Sequence, residues 1–86
     1  MANLNVAVVS IDQKIWSGEA KSLIAKTTEG EIGILAGHEP VLSLLVDGVV
    51  RVEALDGTKI EVNISGGFLA VDSNSVRVLA EDAEVI

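Results

Sequence analysis

A chain of 86 residues with 13 acidic and 6 basic side chains, and so a net charge of −7, is a poor partner for nucleic acid or anionic membrane, both of which are held by clustered Lys and Arg. Without cysteine it has neither a disulfide framework nor a thiolate metal site, and its apolar runs fall far short of the roughly 20 residues that span a bilayer. The length predicts one domain, 1–86, that buries about 60–65% of its unfolded surface, and with only Trp16 and Phe68 aromatic its core must be aliphatic.

Met1-Ala2-Asn3-Leu4 has neither a basic region nor an apolar stretch, so no signal peptide is expected and the default is a soluble cytoplasmic protein. Leu4, Val6 and Val8 alternate with Asn3, Asn5 and Ala7, the pattern of a half-buried first strand. Asp12-Gln13 turns the chain into a short strand over 14–19 that contains Trp16, with Gly18 expected at a bulge or bend. A third strand over 20–28 puts Leu23, Ala25 and Thr27 on one face and Ile24 and Lys26 on the other.

The stretch 28–40 concentrates Gly30, Gly33 and Gly37 with the chain's only histidine, His38, and only proline, Pro40. Glycine reaches backbone angles that strain other residues and proline fixes φ, so a shaped loop is expected around a short strand, Ile32 to Leu35. Pro40 then opens a strand over 41–46, where its missing N–H is tolerated. Asp47-Gly48 predicts a two-residue type I′ hairpin that places Leu45 opposite Val50 and Ser43 opposite Val52. The far face of that strand pair shows Leu42, Leu44, Val46 and Val49, more apolar than a solvated sheet surface should be. Either a partner or another part of the same fold must cover it.

Charge settles the next turn. A three-residue loop, Leu55-Asp56-Gly57, pairs Val52 with Ile60, Val50 with Val62, Arg51 with Glu61 and Glu53 with Lys59. A two-residue turn would mix the faces, and a further slip would oppose Glu53 and Glu61. Ser65-Gly66-Gly67 breaks the chain before a strand over 68–72. Asp72-Ser73-Asn74-Ser75 is turn chemistry, and Val76, Val78 and Ala80 line the inner face of the last main strand. Residues 81–86 pair at an edge or trail loosely. No ten residues hold a helical period, and about nine short strands at close spacing predict an all-β sandwich.

Chemistry is sparse. Glu29, Glu31, His38 and Glu39 are the one local cluster with catalytic or metal-ligand potential, and a single histidine among scattered carboxylates falls short of a ligand set or a nucleophilic triad. The glycines precede no Gly-Lys-Ser/Thr, so they form no phosphate loop. No catalytic residue, cofactor or metal is expected. The alternative is a small acidic carrier or ligand-binding domain bearing biotin or lipoate on a lysine near a turn, but Lys14 and Lys59 lack the Met-Lys-Met or Asp-Lys-Ala setting of such domains.

The run Glu29-Gly30-Glu31-Ile32-Gly33-Ile34-Leu35-Ala36-Gly37-His38-Glu39-Pro40 resembles the Glu-Gly-Glu-x-Gly-Ile-x-Pro-Gly-His-x-Pro signature of the epsilon subunit of bacterial F-type ATP synthase. Val8-Val9-Ser10, Trp16-Ser17-Gly18, Ser65-Gly66-Gly67-Phe68-Leu69 and Val76-Arg77-Val78-Leu79-Ala80-Glu81 fit the same pattern in the same order. The resemblance implies a flattened β-sandwich of about ten short, mostly antiparallel strands. It also implies a non-catalytic rotor subunit, docked on the gamma subunit and the c ring, that couples proton translocation to ATP synthesis at the cytoplasmic side of the bacterial membrane. The family's c-ring contact maps onto Glu29, Gly30 and Glu31, and its gamma contacts onto Ser10, His38, Val41 and Leu42. Ala36 stands where the family has proline, which implies a less stiff loop. The family's C-terminal helical pair would lie beyond Ile86, so its inhibition of hydrolysis and its ATP binding are not carried over to these residues.

Overall fold

Inside–outside alternation breaks at three points along the chain, and at each of them the sheet turns a corner. Ala20 and Leu23 both point into the core, as do Ile64 and Leu69, and Ala80 and Ala83, although each pair is separated by an odd number of residues. A straight strand would send one member of each pair outward. The computed structural model, which describes residues 3–86, resolves these breaks as bends within continuous strands. Its seven strands are β1 (Leu4–Ser10), β2 (Lys14–Thr27), β3 (Gly30–Leu35), β4 (Val41–Leu45), β5 (Gly48–Ala54), β6 (Lys59–Asp72) and β7 (Ser75–Val85).

The three long strands each serve both layers of the sandwich. One layer runs, in hydrogen-bonded order, residues 14–20 of β2, β1, residues 75–80 of β7, residues 67–72 of β6, then β4. The other runs β3, residues 22–27 of β2, β5, residues 59–65 of β6, then residues 82–85 of β7. Pairing is antiparallel except between β1 and β7. Because β2, β6 and β7 cross from layer to layer, the sheet closes on itself through β1, β2, β5, β6 and β7. Seven strands therefore replace the nine or ten expected: the sequence shows the breaks in alternation but not that the backbone ladder continues through them.

In β2 the bend is a bulge, with the register against β5 shifting between Ala20 and Ser22. β6 and β7 bend together, and Ser65–Asp82 and Gly67–Ala80 keep one register on either side of Gly66 and Glu81. Gly67 has φ +127°, and a Cβ there would collide with the Leu79 carbonyl oxygen and lie 2.8 Å from Ala80 Cα. Only glycine allows the two backbones to approach this closely.

Two local expectations are corrected. β4 and β5 do not form the Asp47-Gly48 hairpin. Both pair instead with β6, β4 along 67–71 and β5 along 59–64, so they follow one another along the same strand. Turn chemistry favours a hairpin locally, but pairing with β6 lets each strand close a different layer over the core. Gly18 marks no bulge either, since Val6 pairs with it in plain register, and the Trp16 ring packs where its side chain would be, 3.1 Å from the Cβ position. The predicted β5–β6 register holds at every pair, from Val50–Val62 to Glu53–Lys59. In its loop Gly57 takes φ +91°, Ala54 N donates to Thr58 O at 2.8 Å, and Thr58 N donates to the Asp56 carboxylate at 2.8 Å. Residues 82–85, left open between edge pairing and a loose tail, pair with 62–65 of β6.

The core is aliphatic, as the composition requires. Leu4, Leu23, Ile34, Leu69 and a set of valines are fully buried, and among the described residues no polar or charged side chain is buried with them. Trp16 packs at its margin, whereas Phe68 points out.

Candidate docking surface

The first layer has a solvent face on which β1, β7, β6 and β4 lie side by side, so their outward residues form rows across the strands. The register puts Val9 beside Leu79, Leu79 beside Phe68, and Phe68 beside Leu44. The neighbouring row is Ala7, Arg77, Ala70 and Leu42. Leu42 is 74% exposed, Leu44 54%, Phe68 47% and Leu79 45%, and Ile11 stands out at the end of β1. A solvated sheet face is expected to be polar; this one carries an unbroken apolar row across four strands. Covering side chains that are about half exposed contributes roughly 1 kcal/mol each, half the value for full burial. A shallow groove lined by Ser10, Ile11, Thr28, Leu44, Phe68 and Leu79 runs along it.

Glu29, Gly30 and Glu31 occupy the tip of the β2–β3 hairpin, all exposed. Thr27 pairs with Gly30 across a two-residue turn, and the Thr27 hydroxyl donates to Gly30 O at 2.8 Å and accepts from Glu29 N at 3.1 Å. Thr28 N donates to Leu44 O at 3.1 Å, which holds the acidic tip beside the end of the apolar row. Ser10 closes β1 next to Val9, at the other end of the row, its N–H donating to Gln13 O at 2.9 Å.

His38 lies at the opposite end of the layer, in the turn between β3 and β4. Its N–H donates to Leu35 O at 3.1 Å, and its Nδ1 lies 2.8 Å from Glu39 O. A carbonyl only accepts, so Nδ1 is the donor in this contact. Leu42 belongs to the outer face. Val41, its neighbour, turns inward, pairs with Val71 and packs against the core. The fold thus gathers Ser10, Leu42 and the acidic tip around the apolar row, sets His38 apart from them, and turns Val41 away.

Val9, Ile11, Phe68 and Leu79 are surface residues that the sequence did not single out. Leu79 was legible as outward, since Val78 and Ala80 on either side face in. Its alignment with Phe68 and Leu44 required the strand order. Val49, expected on the same apolar face, sits in the other layer beside Asn63. Among the described residues no three His, Asp or Glu side chains come together in a way that could hold a metal ion. Lys14 and Lys59 each open a strand, Lys59 opposite Glu53, and neither is presented at a hairpin tip as a carrier lysine would be.

A closed aliphatic shell with Leu44, Phe68 and Leu79 aligned and exposed on one layer is a β-sandwich with a candidate docking face. Residues 3–86 match the family model described as the ATP synthase delta/epsilon chain β-sandwich domain. The chain belongs to that family. It is 46% identical over 86 residues to the ATP synthase epsilon chain of Rhodococcus erythropolis and 51% identical over 85 residues to that of Mycobacterium avium, covering 99% and 98% of this chain and 70% of each relative. A chain in the cryo-EM structure of the Euglena gracilis mitochondrial ATP synthase (OSCP/F1/c-ring, rotational state 1) superposes with a TM-score of 0.92 at 31% identity. That match covers 99% of this chain and 54% of the Euglena one, so the chain spans about half the length of its structural relative. A chain of the Tetrahymena thermophila central stalk and c-ring structure shares the fold at a TM-score of 0.79 and 17% identity, with 96% of this chain and 66% of that one covered.

Proposed function

We propose that the chain is a non-catalytic rotor subunit of an F-type ATP synthase. Its first layer docks on the gamma subunit and its β2–β3 tip meets the c ring, so that rotation of the ring turns the stalk. The observation that carries the reading is the apolar row Val9–Leu79–Phe68–Leu44, with Leu42 beside it, exposed on a molecule whose own strands are all engaged elsewhere. Hydrophobic side chains aligned across four strands have no role in an isolated domain and every reason to be buried in an assembly. The epsilon-chain relatives and the match to a chain of the Euglena OSCP/F1/c-ring structure support the choice of complex.

Glu29 and Glu31 place two carboxylates at an exposed tip, suited to polar or basic loops of a partner. Ser10, beside the Val9 end of the row, and the His38 imidazole supply polar contacts at the margins of the gamma-facing surface. Val41 contributes by fixing the strand that presents Leu42. The complex is read as lying at the cytoplasmic side of the membrane; no helix of the described residues is long and apolar enough to cross a membrane.

The test is the affinity for isolated gamma subunit. Leu42→Asp and Phe68→Asp should each weaken binding at least about thirtyfold, the effect of placing an unpaired charge in a desolvated contact. Leu42 is mostly exposed, so its variant should keep its melting temperature, and half-buried Phe68 should lose only a few degrees, leaving both variants folded. Binding that survives both substitutions undiminished would remove gamma from this face.

A further inference from the structure

The turn that joins β6 to β7 holds two non-glycine residues in the left-handed region, Ser73 at φ +50° and Asn74 at φ +65°. With Asp72 paired to Ser75 this is a type I′ hairpin turn, for which Asn-Gly or Asp-Gly is the favoured pair. A turn built from Ser-Asn accepts backbone strain that glycine would remove, and strain of this kind persists where the surroundings demand a side chain. Here they do. Asn74 Oδ1 accepts a hydrogen bond of 2.7 Å from Gly37 N, in a loop 37 residues away in the chain. Its carbonyl oxygen accepts one of 2.8 Å from Asn5 N at the start of β1. One residue thus ties together the β6–β7 turn, the first strand and the β3–β4 loop.

The loop it holds carries His38. Gly37 N is bonded to Asn74 and the next amide, His38 N, to Leu35 O, so both backbone donors leading into the imidazole are committed. Without the first bond, the loop would be tethered only by its own turn and by the strands at either side.

We propose that Asn74 is a positioning residue for docking: its side-chain amide locks the Gly37-His38 loop in the orientation that presents His38 to the gamma subunit. The proposal rests on the reading of His38 as a gamma contact. Glycine at position 74 would keep the left-handed turn and lose only the side-chain acceptor, whereas aspartate would keep an acceptor of the same reach.

These two variants give the test. In Asn74→Gly, hydrogen exchange at the Gly37 amide should accelerate by about tenfold or more and affinity for isolated gamma subunit should fall roughly two- to tenfold, the span of one hydrogen bond. In Asn74→Asp, both should stay near wild type at physiological salt. Unchanged Gly37 exchange in Asn74→Gly would show that the latch does not hold the loop, and faster exchange with unchanged affinity would show that it does not position docking; either overturns the proposal. His38→Ala measured alongside separates the two levels. If that variant binds gamma as wild type does, the contact reading has failed and takes the positioning role with it, even where the exchange data establish the latch.

Discussion

Adjacent glycines in β6 offer a sharp comparison, because the same substitution meets different surroundings one residue apart. Gly66 has φ +64°, and a Cβ built there meets nothing within 4 Å. Gly66→Ala therefore bears only the cost of a left-handed alanine, roughly 1–2 kcal/mol, offset by up to about 1 kcal/mol from a stiffer unfolded chain. The expected net loss is about 1 kcal/mol, or a drop in melting temperature of roughly 4–8 °C for a domain this size. Gly67 at φ +127° lies in a region that other residues scarcely visit, a penalty of roughly 1–3 kcal/mol. Its new methyl group would also strike the Leu79 carbonyl oxygen and sit 2.8 Å from Ala80 Cα. Those atoms belong to the paired backbone, so relief requires prying β6 from β7 at the bend that joins the layers. The total for Gly67→Ala is about 4 kcal/mol or more, a large fraction of the roughly 5–15 kcal/mol that stabilises a domain. Thermal and urea unfolding of both variants, followed by far-UV circular dichroism, gives the comparison. Equal midpoints for the two would refute the claim that β6 and β7 touch at Gly67.

Leu69→Ala, at a fully buried position, should cost about 2–5 kcal/mol in urea unfolding, whereas Phe68→Ala next to it, half exposed, should cost under about 1 kcal/mol. The reverse order would mean that the inward and outward faces of β6 have been exchanged. The neighbouring Thr58 hydroxyl, and the Thr58 backbone N–H that donates to the Asp56 carboxylate at 2.8 Å, hold that carboxyl below the ordinary value of 3.8. A depressed folded-state pKa stabilises the fold above that ordinary value, and the contribution is lost as pH falls through the lower folded-state value. A carboxyl-carbon NMR titration of Asp56 with a midpoint at or above 3.8 would contradict the Thr58 interaction. Arg51 Nε donates to Glu61 at 3.1 Å across an exposed pair, and a double-mutant cycle there should return about 0.2–1 kcal/mol, shrinking with added salt.

Much of the local design was legible because it follows from period and charge. The β5–β6 hairpin shows this best: a faces-in, faces-out pattern combined with Arg51–Glu61 and Glu53–Lys59 leaves a single register, and the fold adopts it. The Asp47-Gly48 turn shows where such reasoning stops. Its chemistry is as good as any hairpin's, yet β4 and β5 separate, because β6 is long enough to pair with both and pairing there closes two layers instead of one. Gly18 departs from its expected bulge for a related reason. A strand glycine signals either a bend or a close neighbour, and which one applies depends on where the Trp16 ring lies.

The candidate surface divides in the same way. Leu42 and Leu44 announce an apolar outer face by alternation within one strand, and the motif run from Glu29 to Pro40 points to the family. Phe68, Leu79 and Val9 join that face only through pairings between residues distant in the chain, and Asn74 reaches Gly37 only because two turns meet at one end of the layer.

Taken alone, the sequence determined an all-β chain with an aliphatic core, the faces of most of its strands and the family to which it belongs, because alternation, turn residues and motif spacing are properties of neighbours along the chain. The tertiary structure alone decided that three strands bend through both layers, which strands lie side by side, and hence which exposed side chains merge into one surface. Those outcomes depend on hydrogen-bond ladders competing for the same long strands. Such a competition is settled by the closing of the whole shell over its core, and no segment read by itself contains the result.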